Sequence, residues 1–359
     1  MILVPLIVFL IGAAIALSTI LSAVRTFVVP RSTQDFLSRV VFRMMRVFFE
    51  VANRFARTYV QRDGIMAFYA PLSLLMLVPV WLALIALGYA LMFWATGVPS
   101  GFDAFNTSGS ALLTLGFAPV DGLLPTALTF TEAMIGLIMV ALLIAYLPTM
   151  YAAFQRRELA VTLLEVRAGK PPSAVEMIER FHRIHGLENL GQMWQTWEQW
   201  FADIEESHTS LPALNFFRSP TPDRSWVTAA GAVLDAAALS RSILDIPKDP
   251  RADLCIRAGY LALQRIADFF KFPYNPAPKF PANPISISRA EFDAVYDRLA
   301  AEGIPLKSDR DQAWRDFAGW RVNYDTVLLA LAELTQAPVA PWSSDRAPIQ
   351  FRNYFHKRR

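Results

Sequence analysis

Cysteine is almost absent from the 359 residues: Cys255 is the only one. A single thiol makes no intramolecular disulfide and no multi-cysteine zinc site. It sits in the apolar stretch "LCIRAGYLAL", where a buried, inert role is expected. Histidine is scarce as well, at four residues: His182, His185, His208 and His356. His182 and His185 are three apart on an expected helix. Without a third ligand, that pair is more simply packing or solvated side chains than a metal site. The sequence has no G-x-G-x-x-G, no P-loop and no G-x-S-x-G, so nothing points to a dinucleotide fold, a phosphate loop or a serine hydrolase. The basic residues of the second half are scattered, which argues against nucleic acid as a partner. No enzyme, no cofactor and no metal is expected. The most informative absence is regional: from Gly64 to Gln155 there is neither Lys nor Arg.

What is present is hydrophobic residues, at 54% of the chain, with a net charge of only +3. Three runs, Ile2–Val24, Met66–Trp94 and Leu128–Phe154, each reach the roughly 20 apolar residues that a bilayer crossing needs. The first lacks a basic leading region and is followed by a basic segment, so 1–24 is expected to stay as an anchor rather than leave as a signal peptide. Residues 25–63 carry eight Arg, and Arg156 and Arg157 follow the third run directly. The bias of Lys and Arg toward the cytoplasmic side then predicts an inner (plasma) membrane protein. Its N-terminus and residues 98–127 would face outward, and everything after 155 would be cytoplasmic.

Within 25–63, the residues Arg39, Arg43, Arg46, Glu50, Arg54 and Arg57 recur at helical spacing, with Met44, Val47, Phe48 and Val51 on other faces. The pattern predicts one basic amphipathic helix over 34–60 at the cytoplasmic interface. Its apolar side would meet acyl chains and its arginines anionic headgroups, which makes membrane lipids a partner. The plainer alternative is an elbow that packs on its own protein.

Between the second and third runs lies "AFNTSGSALLTLGFAPVDG", small, apolar and uncharged until Asp121. Asp103 is a candidate cap for a short helix over 104–113, too short to span. A segment of this length between two spans reads as re-entrant, and non-helical backbone at that depth is tolerated only when buried in protein or lining water. Span, short helix, Thr-x-Gly-aromatic, span: residues 64–155, with the loop at 103–119, resemble the pore unit of the potassium-channel superfamily, and "LLTLGF" is similar to its filter.

The resemblance implies that Thr114, Leu115, Gly116, Phe117 and Ala118 form a selectivity filter whose carbonyls replace an ion's hydration shell. It implies that Gly136, twenty residues past Gly116, and Pro148 let the inner helix bend as a gate. Asp121 becomes a candidate charge at the pore mouth, and Glu132 either such a charge or a hydrogen-bond partner behind the filter. Because one chain supplies one loop, the resemblance requires a homotetramer around an axis. The pattern departs from the family at Ala118-Pro119, where the family has Gly. A left-handed Ala costs about 1–2 kcal/mol and Pro119 drives Ala118 toward extended backbone, so the outer filter is expected to differ. "HTSLPALNFFRSPTPDRSWVTAAGA", residues 208–232, also resembles bacterial channels of this class, with no mechanism apparent from its residues.

The second half reads as helical: two helices in 171–207 broken near Gly186, one over 222–244, one over 252–270, and a proline strap from Pro273 to Pro284. A Ser288/Glu291 capping box opens 289–302, and one last helix begins at Ser308 or Asp309 and ends near 336. The expectation is thus an all-α membrane protein with three transmembrane helices, a re-entrant pore loop, a helical cytoplasmic domain over 156–336 and a Pro-rich, basic tail over 337–359. Its expected function is a channel for potassium or, with weaker selectivity, monovalent cations. The alternative is a non-conducting, membrane-anchored helical scaffold or sensor.

Overall fold

The computed structural model describes residues 3–29 and 35–346. Arg31 and the end of the tail, 347–359 with His356, lie outside the described residues. The described residues are helical, and their only β pairing is an isolated bridge between Leu244 and Leu306. Three helical stretches, Leu3–Phe27, Tyr59–Ala95 and Leu123–Ala168, are long and apolar enough to cross a membrane.

The chain divides into two compact units. One holds the residues through Arg57 together with Ile65–Ala152; the other holds Thr58–Gly64 together with everything from Ala153 on. The first unit is built from α1 (Leu3–Phe27), α2 (Phe36–Asn53), the end of α3 (Tyr59–Ala67), α4 (Tyr69–Ala95), α5 (Gly101–Leu112) and the first part of α6 (Leu123–Ala168). Helices α1 and α4 touch backbone to backbone. A Cβ on Gly12 would stand 2.4 Å from the Gly88 carbonyl oxygen, and one on Gly88 would stand 2.7 Å from that of Gly12. Small residues permit this approach where no hydrophobic drive holds apolar helices together in lipid. Near the other end, the Trp81 indole donates to the Ser22 hydroxyl at 3.1 Å, and Ser22 donates to Asp35 at 2.6 Å.

Helix α2 is amphipathic but shorter than its arginine spacing suggests. Asp35 caps it by accepting from the Ser38 amide at 3.0 Å. It ends at Asn53, so Arg39, Arg43 and Arg46 lie on α2, while Arg54 and Arg57 fall in the turn beyond it. The single helix through residue 60 is therefore corrected. The physical reason is local: the Thr58 and Gln61 side chains each accept from the other's backbone amide at 3.3 Å, a reciprocal cap that starts α3 afresh. Met44, Val47, Phe48 and Phe55 are exposed, whereas Val41 and Phe49 are buried. Phe42 and Phe49 pack on the Tyr69 ring of α4.

The second unit contains α7 (Ala174–Arg183), α8 (Leu190–Ser210), α9 (Trp226–Ser242), α10 (Pro250–Phe270), α11 (Arg289–Ala301), α12 (Arg310–Arg321) and α13 (Asp325–Thr335). The Ala-rich α9 is buried on every face except at Arg241, as expected for a helix apolar all round. Its one buried acid, Asp235, takes the Arg321 guanidinium at 2.5 and 2.6 Å and the Tyr324 hydroxyl at 2.8 Å. This network explains a second correction. The last expected helix is two helices, because the chain turns at Val322–Tyr324. The turn brings Tyr324 to Asp235 while Arg321 also reaches Asp325 at 2.7 Å.

The stretch that had no visible mechanism, 208–232, has a structural one. Its short 3-10 turn, Pro212–Phe216, wraps the buried Arg157, which donates to the carbonyls of Leu214 at 2.8 Å and Phe217 at 2.7 Å and pairs with Glu158 at 2.8 Å. Asn215 braces the turn through the carbonyls of His208 and Pro212, both at 3.0 Å. The His208 ring is buried between Arg157 and Trp226.

Burial, reinforced by the Arg157 charge, pushes the His208 pKa well below its ordinary value. The folded state therefore keeps a neutral imidazole where the unfolded chain binds a proton near pH 6.5. Stability contributed by this neutral form is complete above that pH and falls as pH drops below it, by at most ~1.4 kcal/mol per pH unit. The melting temperature of the wild type should fall between pH 7.5 and 5 more steeply than that of His208→Gln. Parallel pH profiles would reject this assignment.

Candidate functional site

The Ser100 hydroxyl opens α5 by accepting from the Asp103 amide at 3.1 Å and donates to the Asp103 carboxylate at 2.6 Å. The cap is Ser100, three residues before the expected one, and Asp103 sits in the first turn, where an acid favours the helix dipole. Helix α5 packs within the first unit against α4 and α6. The Ser108 hydroxyl lies 3.0 Å from the Ala86 carbonyl of α4 and 2.5 Å from Glu132 Oε1 of α6.

Beyond Leu113 the chain leaves the helix, and Ser110 organises the loop through Ala118. Its carbonyl accepts from the amides of Leu115 at 2.8 Å and Gly116 at 3.3 Å. Its hydroxyl accepts from those of Phe117 at 3.0 Å and Ala118 at 3.1 Å. Four successive N–H groups thus aim at one residue. In a planar trans peptide each C=O points opposite the next residue's N–H. The carbonyls of Thr114, Leu115, Gly116 and Phe117 therefore face away from Ser110, and none accepts a hydrogen bond among the described residues.

The backbone achieves this by placing alternate residues, Thr114 (φ 55°) and Gly116 (φ 72°), in the left-handed region. Gly116 adopts it freely. For the β-branched Thr114 it costs on the order of 1–2 kcal/mol, a kind of strain that clusters at functional positions. Ala118 does not have a positive φ, in keeping with the extended backbone that Pro119 favours there. Leu113, Leu115 and Phe117 are exposed in the single chain.

Of the other candidates, Glu132 is buried against Ser108, and its Oε2 has no partner among the described residues. Of the two readings of Glu132, its contact with Ser108 of α5 fits the hydrogen-bond partner, whereas Asp121 is exposed. Gly136 is buried, and a Cβ there would stand 2.2 Å from the Leu112 carbonyl oxygen, so glycine is needed for the seat of α5 on α6. Helix α6 continues through Pro148. Ser110 and Ser108 escaped sequence reasoning; the available signal was two hydroxyls within a segment otherwise ready for burial. Among the described residues no group of three or more His, Cys, Asp or Glu side chains is arranged to hold a metal.

No family model, no curated protein and no solved structure matches the chain.

Proposed function

We propose that the chain is one subunit of a homotetrameric channel for monovalent cations, with Thr114–Phe117 as its filter. The observation that carries this reading is the row of four outward carbonyls fixed by four amides on Ser110. Such a row offers a dehydrating cation the oxygen ligands it loses from water. The C-terminal end of α5, carrying the negative end of its dipole, adjoins the row. No Lys or Arg occurs from Gly64 to Gln155 to repel a cation. The exposed Leu113, Leu115 and Phe117 are apolar surfaces that neighbouring subunits would cover.

On this reading α1, α4 and α6 cross the inner membrane with the N-terminus outside. Segment 103–119 is the re-entrant loop, and the second unit is cytoplasmic. Exposed apolar residues of α2 enter the interface beside anionic headgroups. With an alanine at 118 that is not left-handed, selectivity is set by the inner part, and a potassium preference weaker than that of a Gly-terminated filter is expected.

The test is flux from liposomes holding purified protein, under potassium and then sodium gradients. Cation flux in the wild type, abolished in Gly116→Asp, is the expected result. A monomeric protein without flux would instead favour the membrane-anchored scaffold.

A further inference from the structure

The second unit holds an open cleft of about 570 Å³ that takes no part in the proposed pore. Its lining includes Arg241 at the end of α9, Lys248 in the following connection, Tyr260 of α10, Lys307 before α12, and Arg315 and Trp320 of α12. Four cations meet there against one lining acid, Asp316.

Two of these cations also have structural duties. Arg241 pairs with Asp253. The Lys307 ammonium donates to the carbonyls of Arg241 at 2.5 Å and Ser242 at 3.2 Å, closing the end of α9 and leaving one of its three N–H groups over. Burial pushes the Lys307 pKa down; Asp316 and Asp245 oppose this, and Arg241 and Lys248 add to it. The lining itself, four cations to one acid, concentrates positive charge. Lys248 forms no hydrogen bond or ion pair among the described residues. The Trp320 indole N–H and the Tyr260 hydroxyl likewise have no hydrogen-bond partner there, and both rings are half-buried. Free donors, a cationic wall and two half-buried aromatic rings therefore share one space, of a volume ordinary for a small-molecule site.

We propose that this cleft binds a nucleoside phosphate, with its phosphates on Lys248 and Arg315 and its base against Trp320. Guanidinium and ammonium groups recognise phosphate oxygens by charge-assisted hydrogen bonds, and aromatic faces stack bases without demanding a particular one. Bare phosphate or a lipid headgroup would use the cations and leave the aromatic wall idle.

The test is calorimetric titration of the full chain in neutral detergent with ADP, GDP, adenosine and pyrophosphate. Gly319 lines the cleft, and a Cβ there meets nothing within 4 Å. Gly319→Glu therefore starts its side chain in open space and adds an acid to the cleft, and Arg315→Glu reverses an exposed charge. The expected result is saturable ADP or GDP binding, one per chain, weakened at least tenfold in both variants and weaker for pyrophosphate and adenosine alone. Absent saturable binding, or binding unchanged in both variants, would overturn the proposal. So would equal affinity for pyrophosphate and ADP, which would assign the cleft to bare phosphate or a lipid headgroup. Because the readout is binding, failure of the channel proposal leaves this result interpretable, and the reverse holds too.

Discussion

Arg321→Met is expected to destabilise the second unit by about 3–5 kcal/mol. Arg321 is fully buried and serves three acceptors besides Asp235 Oδ1: Asp235 Oδ2 at 2.6 Å, Asp325 Oδ1 at 2.7 Å and the Trp342 carbonyl at 2.6 Å. Removing the cation leaves Asp235, 1% exposed inside α9, with only the Tyr324 hydroxyl. The cost is that of the stranded charge rather than the net worth of the pair. Asp325 suffers less, since the Ser286 amide at 2.9 Å and hydroxyl at 2.7 Å remain with it. The double variant Arg321→Met, Asp235→Leu should accordingly recover much of the loss, because an apolar pair replaces an ionic one. Thermal and denaturant unfolding followed by tryptophan fluorescence measures both. A single-variant loss under ~1 kcal/mol, the range of exposed pairs, would show that the network carries little.

The second large effect concerns Gly136. As a hinge, it would tolerate alanine, and a helix interior should even gain up to ~1 kcal/mol from the exchange. The packing predicts the opposite sign. An alanine Cβ would lie 2.2 Å from the Leu112 carbonyl oxygen and 3.3 Å from Leu112 Cδ1, so α5 must retreat from α6. Overpacking of this kind costs about 1–3 kcal/mol. The displacement starts two residues before Thr114, so any flux through the proposed filter should fall with it. The melting temperature of purified Gly136→Ala in detergent decides between the two: a rise supports the hinge, a fall the seat.

Much of the architecture was legible because it rests on local rules. Three apolar runs exceed the length of a bilayer crossing. The Ser288 and Glu291 box appears as written, with Ser288 accepting from the Glu291 amide at 3.2 Å and Glu291 from the Ser288 amide at 2.8 Å. Cys255 is buried, as its apolar surroundings indicated, and burial raises the pKa of its thiol. The misses have local causes as well as distant ones. The arginine spacing across 39–57 outweighed the Thr58/Gln61 cap that ends its continuity, since a periodic pattern says nothing about where a helix stops.

The sequence by itself determined the helical class, the three candidate spans, the uncharged segment between two of them and the Thr-Leu-Gly-Phe run within it. These rest on composition, period and spacing, which act over a few residues. Tertiary structure alone decided that Ser108 is the partner of Glu132, that Gly136 is a contact point and that Asp235 finds Arg321 86 positions along the chain. It also brought Lys248, Arg315 and Trp320 to one cleft. Partners so far apart in sequence leave no periodic trace. What joins them is the need of each buried polar group for a partner, and only the folded chain shows which one meets it.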